Sequence, residues 1–415
     1  MAEVISNPLT EYRVRIAFQA DYTEFHLDVP GFSELDTATL GPDPAVYTWA
    51  DVTADVQQVT VRRGRARTTD NTAAGTATLT LLDLARDYDT ENTSSPYYPD
   101  LPWIGSPLEV SYRRTSPTWH EIYVGTIDVV QWESNPAGFN VASFVASDTL
   151  AQLARQALLT DTTFAAAPSG TRINDILDQA VEVSAATSID AGTVTLVERT
   201  ESAGANLLDL ANRASMAEFG EFFAANDGTL VFRQRYSNAN PEGYTLTANT
   251  SGAQYSALTI EYANELYTQV NVPDDTGAVQ SARVDSLTAS GSLDVDTGGL
   301  LAASDALNLA EYLIDAFGQA VTAVTTVEVP VVTAISAATQ DLLLQTDLDT
   351  VVEVERTWTT GTPSSLSEWY GVESIEHRIS PERHTMILGL GSKTSAGWLE
   401  LDSAAYGTLD TNKLA

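Results

Sequence analysis

The chain has 415 residues, 43% of them hydrophobic, and carries a formal charge of -35 from 56 acidic and 21 basic side chains, with no cysteine. That balance excludes a surface that grips nucleic-acid phosphates, which needs clustered Lys and Arg, and the missing thiols exclude disulfides, thiolate metal sites and a cysteine nucleophile. The length calls for about two to four packed domains, no apolar run reaches the length of a membrane-spanning segment, and the N-terminus lacks the order of a signal peptide, so synthesis and folding in a cytoplasm are expected.

In chain order, YRVRIAFQA and TEFHLDV read as strands that stop at Pro30-Gly31, and the turn-rich FSELDTATLGPDPAV follows. From Thr48 the text becomes regular. WADVTADVQQVTVRRGRAR and GTATLTLLD are strands, and the next stretch, LARDYDTENTSSPYYPDLPW, is a loop to be ordered by its aromatics. LEVSYRR, EIYVGTIDVVQW and FNVASFVAS then form a three-stranded meander from Leu108 to Ser147. After Asp148 the apolar period becomes helical. TLAQLARQAL starts at a cap, Ser147 or Asp148; GTRINDILDQAVEVS gathers Ile173, Ile176, Leu177 and Ala180 on one side; ANLLDLANRASM follows. Asp227-Gly228 between two apolar runs marks a hairpin. Strands resume in GYTLTA, ALTIEYA and YTQVNVPD, and the Ser-, Asp- and Gly-rich 281–299 is a hairpin or an excursion. Ser304 is expected to cap a helix ending at Gly318; AVTAVTTVEVPVV is a strand, and AATQDLLLQTDL a turn or short helix. From Ala396 on, a tail with Trp398 and Tyr406 is expected to dock on something.

The first meander has an echo. VEVERTW, EWYGVESIEHRI and HTMILGLGS repeat it from Val352 to Ser392, with Val354 in the place of Val110, Gly371 in that of Gly125 and Ser392 in that of Ser147. The fold class is therefore mainly β with an α+β insert: two related β units flank a small α+β middle domain. The expected boundaries are 1–148, 149–243, 244–395 and a C-terminal tail, 396–415.

Few groups converge for chemistry. Of His26, His120, His377 and His384, only the last two flank one turn, and they read as ordinary surface histidines. No nucleophile elbow, phosphate loop or dinucleotide fingerprint occurs, and Gly389-x-Gly391 reads as a turn. Asp83, Asp87, Asp89 and Glu91 make an acidic loop without the EF-hand spacing, either a calcium ligand set or a solvated turn. No cofactor, no metal and no catalysis are expected. The one basic cluster is Arg62, Arg63, Arg65 and Arg67, whose alternation puts Arg63, Arg65 and Arg67 on one face. It is a candidate subunit-docking surface, or else a solvated edge strand defended by charge.

The order WADVTADVQQVTVRRGR, AGTATLTLLD, DTENTSSPYYPDLPWIGSPLEVSYR, IYVGTIDVVQW resembles the minor tail proteins of long-tailed phages of actinobacteria, which are similar to tail-tip or baseplate hub proteins. The features that carry the resemblance are Arg62 to Arg65, the loop Ser94-Ser95-Pro96-Tyr97-Tyr98-Pro99, and Gly125 with Trp132, over Thr48 to Leu158. DLARDYD departs from the family's Gly-containing turn. The resemblance implies a homotrimer of chains with two tail-tube-like β-barrel domains each, giving a pseudo-six-fold ring at the tail tip of the virion. It implies as partners the distal tail ring and tail tube proteins, the tape-measure protein and a receptor-binding or spike protein, with genomic DNA only a passenger. Two rivals remain: a hexameric distal tail ring protein, which needs one such domain per chain, and a tail-tip adhesin using Tyr97, Tyr98 and Trp103 on cell-surface glycans. A wall-degrading hydrolase would need a further domain, for which the residues after Leu401 are too few.

Overall fold

The computed structural model describes residues 6–7, 10–19, 47–98, 104–114, 118–134, 140–181, 185–235, 243–248, 253–262, 265–284, 291–331, 337–348 and 350–392. His26, Trp103 and the expected 396–415 tail lie outside the described residues.

Alternating burial builds the first unit from Thr10–Gln19 (β1), Tyr47–Asp51 (β2), Val56–Gly64 (β3), Ala73–Leu82 (β4), Pro107–Arg113 (β5), His120–Ser134 (β6) and Asn140–Ser147 (β7). These strands pair antiparallel in the order β3-β4-β7-β6-β5-β1-β2, burying Val59, Val61, Leu79, Val110 and Phe144. The chain then turns helical, in Thr149–Ala154 (α1), Ser169–Leu177 (α2) and Leu207–Glu218 (α3). Asp148 caps α1 by accepting from Leu150 N, and Asn206 caps α3 by accepting from Asp209 N. Glu221–Ala224 (β8) and Leu230–Arg233 (β9) form the hairpin at Asp227-Gly228, where Gly228 takes φ +85°.

Tyr244–Thr247 (β10) and Ala257–Tyr262 (β11) open the second unit. The chain then leaves it for Tyr267–Pro273 (β12), Val279–Arg283 (β13), Gly291–Asp294 (β14) and Ala303–Phe317 (α4). It returns as Thr322–Pro330 (β15), Ala337–Leu344 (α5), Val351–Thr357 (β16), Ser365–Ile379 (β17) and His384–Ser392 (β18). The pairing order is β11-β15-β18-β17-β16-β10, antiparallel except for β10 on β16.

Two hydrophobic cores result. One runs through both β units. The other joins α1, α2 and α3 to Val270, Val272, Leu309 and Leu313, so 267–317 packs with the helical middle rather than with the C-terminal β unit where the sequence placed it. The reason is α4, whose apolar side, Ala306, Leu309, Ala310, Leu313 and Ile314, is buried in that second core.

The duplication is deeper than the sequence echo. Five strands recur in one order, β3, β4, β5, β6, β7 against β11, β15, β16, β17, β18, and both long strands bulge at an acidic residue, Asp128 in β6 and Glu373 in β17. With those bulges aligned, Val110 matches Val354 as expected, through the pairs Val110–Tyr123 and Val354–Glu368. Gly125 instead matches Tyr370, and Ser147 matches Gly391, one residue out from the textual alignment.

The barrels implied by the resemblance are not closed among the described residues. The edge that would have to close the first unit, β3, is taken by β17, which fuses both units into one sheet of 15 strands. Two local expectations also change. Ser304 does not cap α4, whose N-cap is Ala302 without a side-chain hydrogen bond, and Gly389 and Gly391 lie within β18 rather than in a turn.

Candidate assembly interface

The junction between the units gathers the residues singled out in the sequence. β17 pairs with β16 through Gly371, bulges at Glu373, and then offers Ser374–Ile379 to β3 along the edge that β16 has left. Gly64 makes this crossing possible: its φ is +107°, and a Cβ there would collide with the carbonyl oxygen of Glu373. Gly389 and Gly391 clear the other side, since Cβ atoms there would meet Ser374 Oγ and the Glu373 carboxylate.

The four arginines divide. Arg63, 2% exposed at its side chain, donates to Asp347 Oδ1 at 2.7 Å and to the carbonyl of Ala224 at 3.1 Å, while Asp347 Oδ2 accepts from Asn226 N at 2.9 Å. One cation thereby ties the first unit, the second unit and the helical module. Arg65 pairs with Glu373, whose other oxygen accepts from Thr68 Oγ1 at 3.2 Å, and Arg65 N donates to the Glu373 carbonyl at 2.8 Å. Arg62 is exposed and pairs with Glu376 at 3.2 Å; Arg67 is exposed. The bulge between Arg62 and Gly64 interrupts the alternation that would have put Arg63, Arg65 and Arg67 on one face.

His377 and His384 are buried, not surface histidines. Tyr12 Oη meets His384 Nδ1 at 2.7 Å, and His384 Nε2 meets His377 Nδ1 at 3.0 Å, a hydrogen-bonded run from β1 across β18 to β17. Burial pushes both imidazoles down, His384 to about 3 and His377 well below its ordinary range, so both are neutral. Asp148 goes the other way: burial lifts it to about 6 against the hydrogen bonds from Gly75 and Leu150.

Elsewhere the polar groups serve structure. In the acidic loop Asp83 accepts from Tyr88 N, Asp89 pairs with Arg86 at 2.5 Å, Tyr97 stacks on Tyr88 with ring centroids 5.7 Å apart, and Trp132 donates to the Tyr88 carbonyl at 2.8 Å. Tyr98 is exposed. A shallow depression beside β10 holds Glu353 and Glu355, whose carboxylates accept from Thr245, Thr247 and Ser367. Among the described residues no three His, Asp or Glu side chains stand in a metal-binding group, and no helix is long and apolar enough to cross a membrane. Sequence reasoning missed Asp347 and Glu373, because each becomes a partner only when segments more than 280 residues apart meet.

No protein-family model and no curated protein sequence matches the chain. Solved structures do. A tail protein from Neisseria meningitidis MC58 superposes with a TM-score of 0.57 at 11% identity, covering 91% of this chain and 96% of that one. The 43 kDa tail protein of prophage MuSo2 from Shewanella oneidensis superposes with a TM-score of 0.53 at 13% identity, covering 83% and 95%. At these identities the likeness is one of fold: this chain has the mainly β fold of phage tail proteins.

Proposed function

We propose that this chain is a structural, non-enzymatic protein of a phage tail, and that three copies form the hub that closes the distal end of the tail tube. The observation that carries the proposal is the fused pair of like units, five strands repeated in one order and joined edge to edge by β3 on β17. A chain that supplies two like units lets a three-fold assembly present six positions to a six-fold tube. The distal ring and tube proteins would sit above it, the tape-measure protein against it, and a receptor-binding or spike protein below, within a virion put together in the host cytoplasm. A net charge of -35 suits the wall of a passage for genomic DNA, which it repels rather than holds. The buried ionisable groups support a role without catalysis, since Arg63, Arg65, Glu373 and the two histidines are committed to partners inside the chain. Of the docking arginines, Arg62 and Arg67 remain for contacts with neighbours.

Native mass spectrometry of the purified chain, together with copy number per tail, tests this. A trimer, or three copies per tail, is the expected result. Six copies would replace it with the distal ring, and a monomer that binds host glycans would replace it with the adhesin.

A further inference from the structure

We infer that β11 of one copy pairs antiparallel with the second half of β6 of the next copy, repeating between chains the pairing that β3 makes with β17 within one. The inference rests on the reading of the chain as a ring-forming pair of units and supplies the contact that reading lacks. β6 and β17 are built alike. Each has 15 residues, pairs over its first half with the strand before it, bulges at an acidic residue and then runs on. In β17 the edge that runs on, Ser374–Ile379, receives β3. In β6 the matching edge, 129–134, receives no strand among the described residues. On the other unit β11 stands in the place of β3, yet among the described residues it pairs with β15 alone.

Exposure falls where a missing partner would put it. His377 is 2% exposed at the filled junction, and its counterpart Trp132 is 43% exposed; Val61 is fully buried, and its counterpart Ile260 is 41% exposed. Val129 and Tyr262, beside them, are exposed as well. The edge strand reads ALTIEY, without Lys or Pro; its one charge is Glu261, and the bulge beside Thr259 and Ile260 has its extra residue on β15, so its outer edge carries little defence against a further strand. A second copy is the occupant because the chain already makes this pairing once, and because an offered edge and a receiving edge on opposite units form a head-to-tail contact, the kind that builds a ring when its rotation closes.

The internal junction fixes the register. Val59–Ile379, Thr60–Arg378 and Val61–His377 translate to Leu258–Ser134, Thr259–Glu133 and Ile260–Trp132 between copies. Glu261 then faces Gln131 and lies diagonal to Glu133, so added salt should strengthen the contact by screening that pair and the net charge.

The chain has no cysteine, which makes crosslinking unambiguous. Thr259→Cys protein mixed with Glu133→Cys protein under mild oxidation should give a disulfide-linked dimer of the two, and Thr259→Cys mixed with Gln131→Cys about tenfold less, because diagonal positions stand too far apart. Both sites are exposed, so the folds should survive, and circular dichroism checks this. A chain carrying T259C and E133C together should give a denaturant-resistant ladder ending at three. Absence of the mixed disulfide, in a protein that is still a trimer by mass or in one that stays a monomer, overturns the strand pairing. A ladder that ends at six leaves the pairing standing and overturns the three-fold hub. Equal yields from Glu133 and Gln131 would refute the register and with it the inference.

Discussion

At the scale of single residues, burial decides what the charges do. Arg63→Met should destabilise the chain by about 3 kcal/mol in a denaturant titration, because it strands Asp347 in a nearly closed site. Arg67→Ala, at an exposed position, should change stability by less than about 0.5 kcal/mol. The buried histidines set a pH dependence whose sign follows from their neutral state. An unfolded imidazole titrates near 6.5, and the folded His384 at about 3, so as pH falls below about 6.5 the unfolded chain takes up protons that the folded chain refuses. Stability is therefore lost on acidification, by about 1.4 kcal/mol per pH unit for each imidazole. Asp148 opposes this below about 6, where the folded chain is the one that binds the proton, but it is one group against two. Denaturant midpoints should fall between pH 6.5 and 5, and the His377→Gln/His384→Gln double variant, whose amides cannot titrate, should lose that fall. None of this could be read from sequence. His377 and His384 were visible as a pair across one turn, but nothing in HRISPERH reveals that β1 would close over them with Tyr12.

At the scale of elements, local pattern was legible and long-range pairing was not. The meanders, the Asp227-Gly228 hairpin and the Asp148 cap follow from alternation and from residues adjacent in sequence. The full five-strand repeat does not, because 267–317 separates β11 from β15, whereas only a short turn separates β3 from β4. The bulges hid the rest, since they shift the strand glycines by one place between the copies. Those glycines give the element-scale prediction. Gly64→Ala must place a Cβ on the Glu373 carbonyl at a φ that alanine rarely adopts, and should cost at least about 2 kcal/mol, whereas Gly105→Ala, with open space around it, should cost only the strain of its φ, about 1 kcal/mol. Thermal unfolding of the two variants side by side separates collision from strain.

At the scale of the whole molecule, the helical module is assembled from two stretches separated by strands of another unit. Residues 149–235 alone would leave uncovered the apolar surface that β12 and α4 occupy. Expressed by itself, that fragment should show helical far-ultraviolet dichroism without a cooperative thermal transition, and adding 265–318 as a second chain should restore one. A cooperative transition in the fragment alone would mean that its packing is independent of α4. The resemblance carried by side chains is strong from Thr48 to Leu158 and weakens to element order beyond it, and the likeness of fold covers 91% of the chain, because strand order persists where side-chain identity does not.

The junction also carries a consequence for biosynthesis. Arg62 and Glu376 lie 314 positions apart, so a ribosome adding about 5–20 residues per second completes β3 roughly 15–60 s before its partner strand emerges. During that interval the nascent chain displays an unfilled strand edge, and a neighbouring nascent chain on the same message can insert its own β17 there. Productive expression should therefore fall as translation becomes crowded, through exchange of strands between siblings before either has left the ribosome.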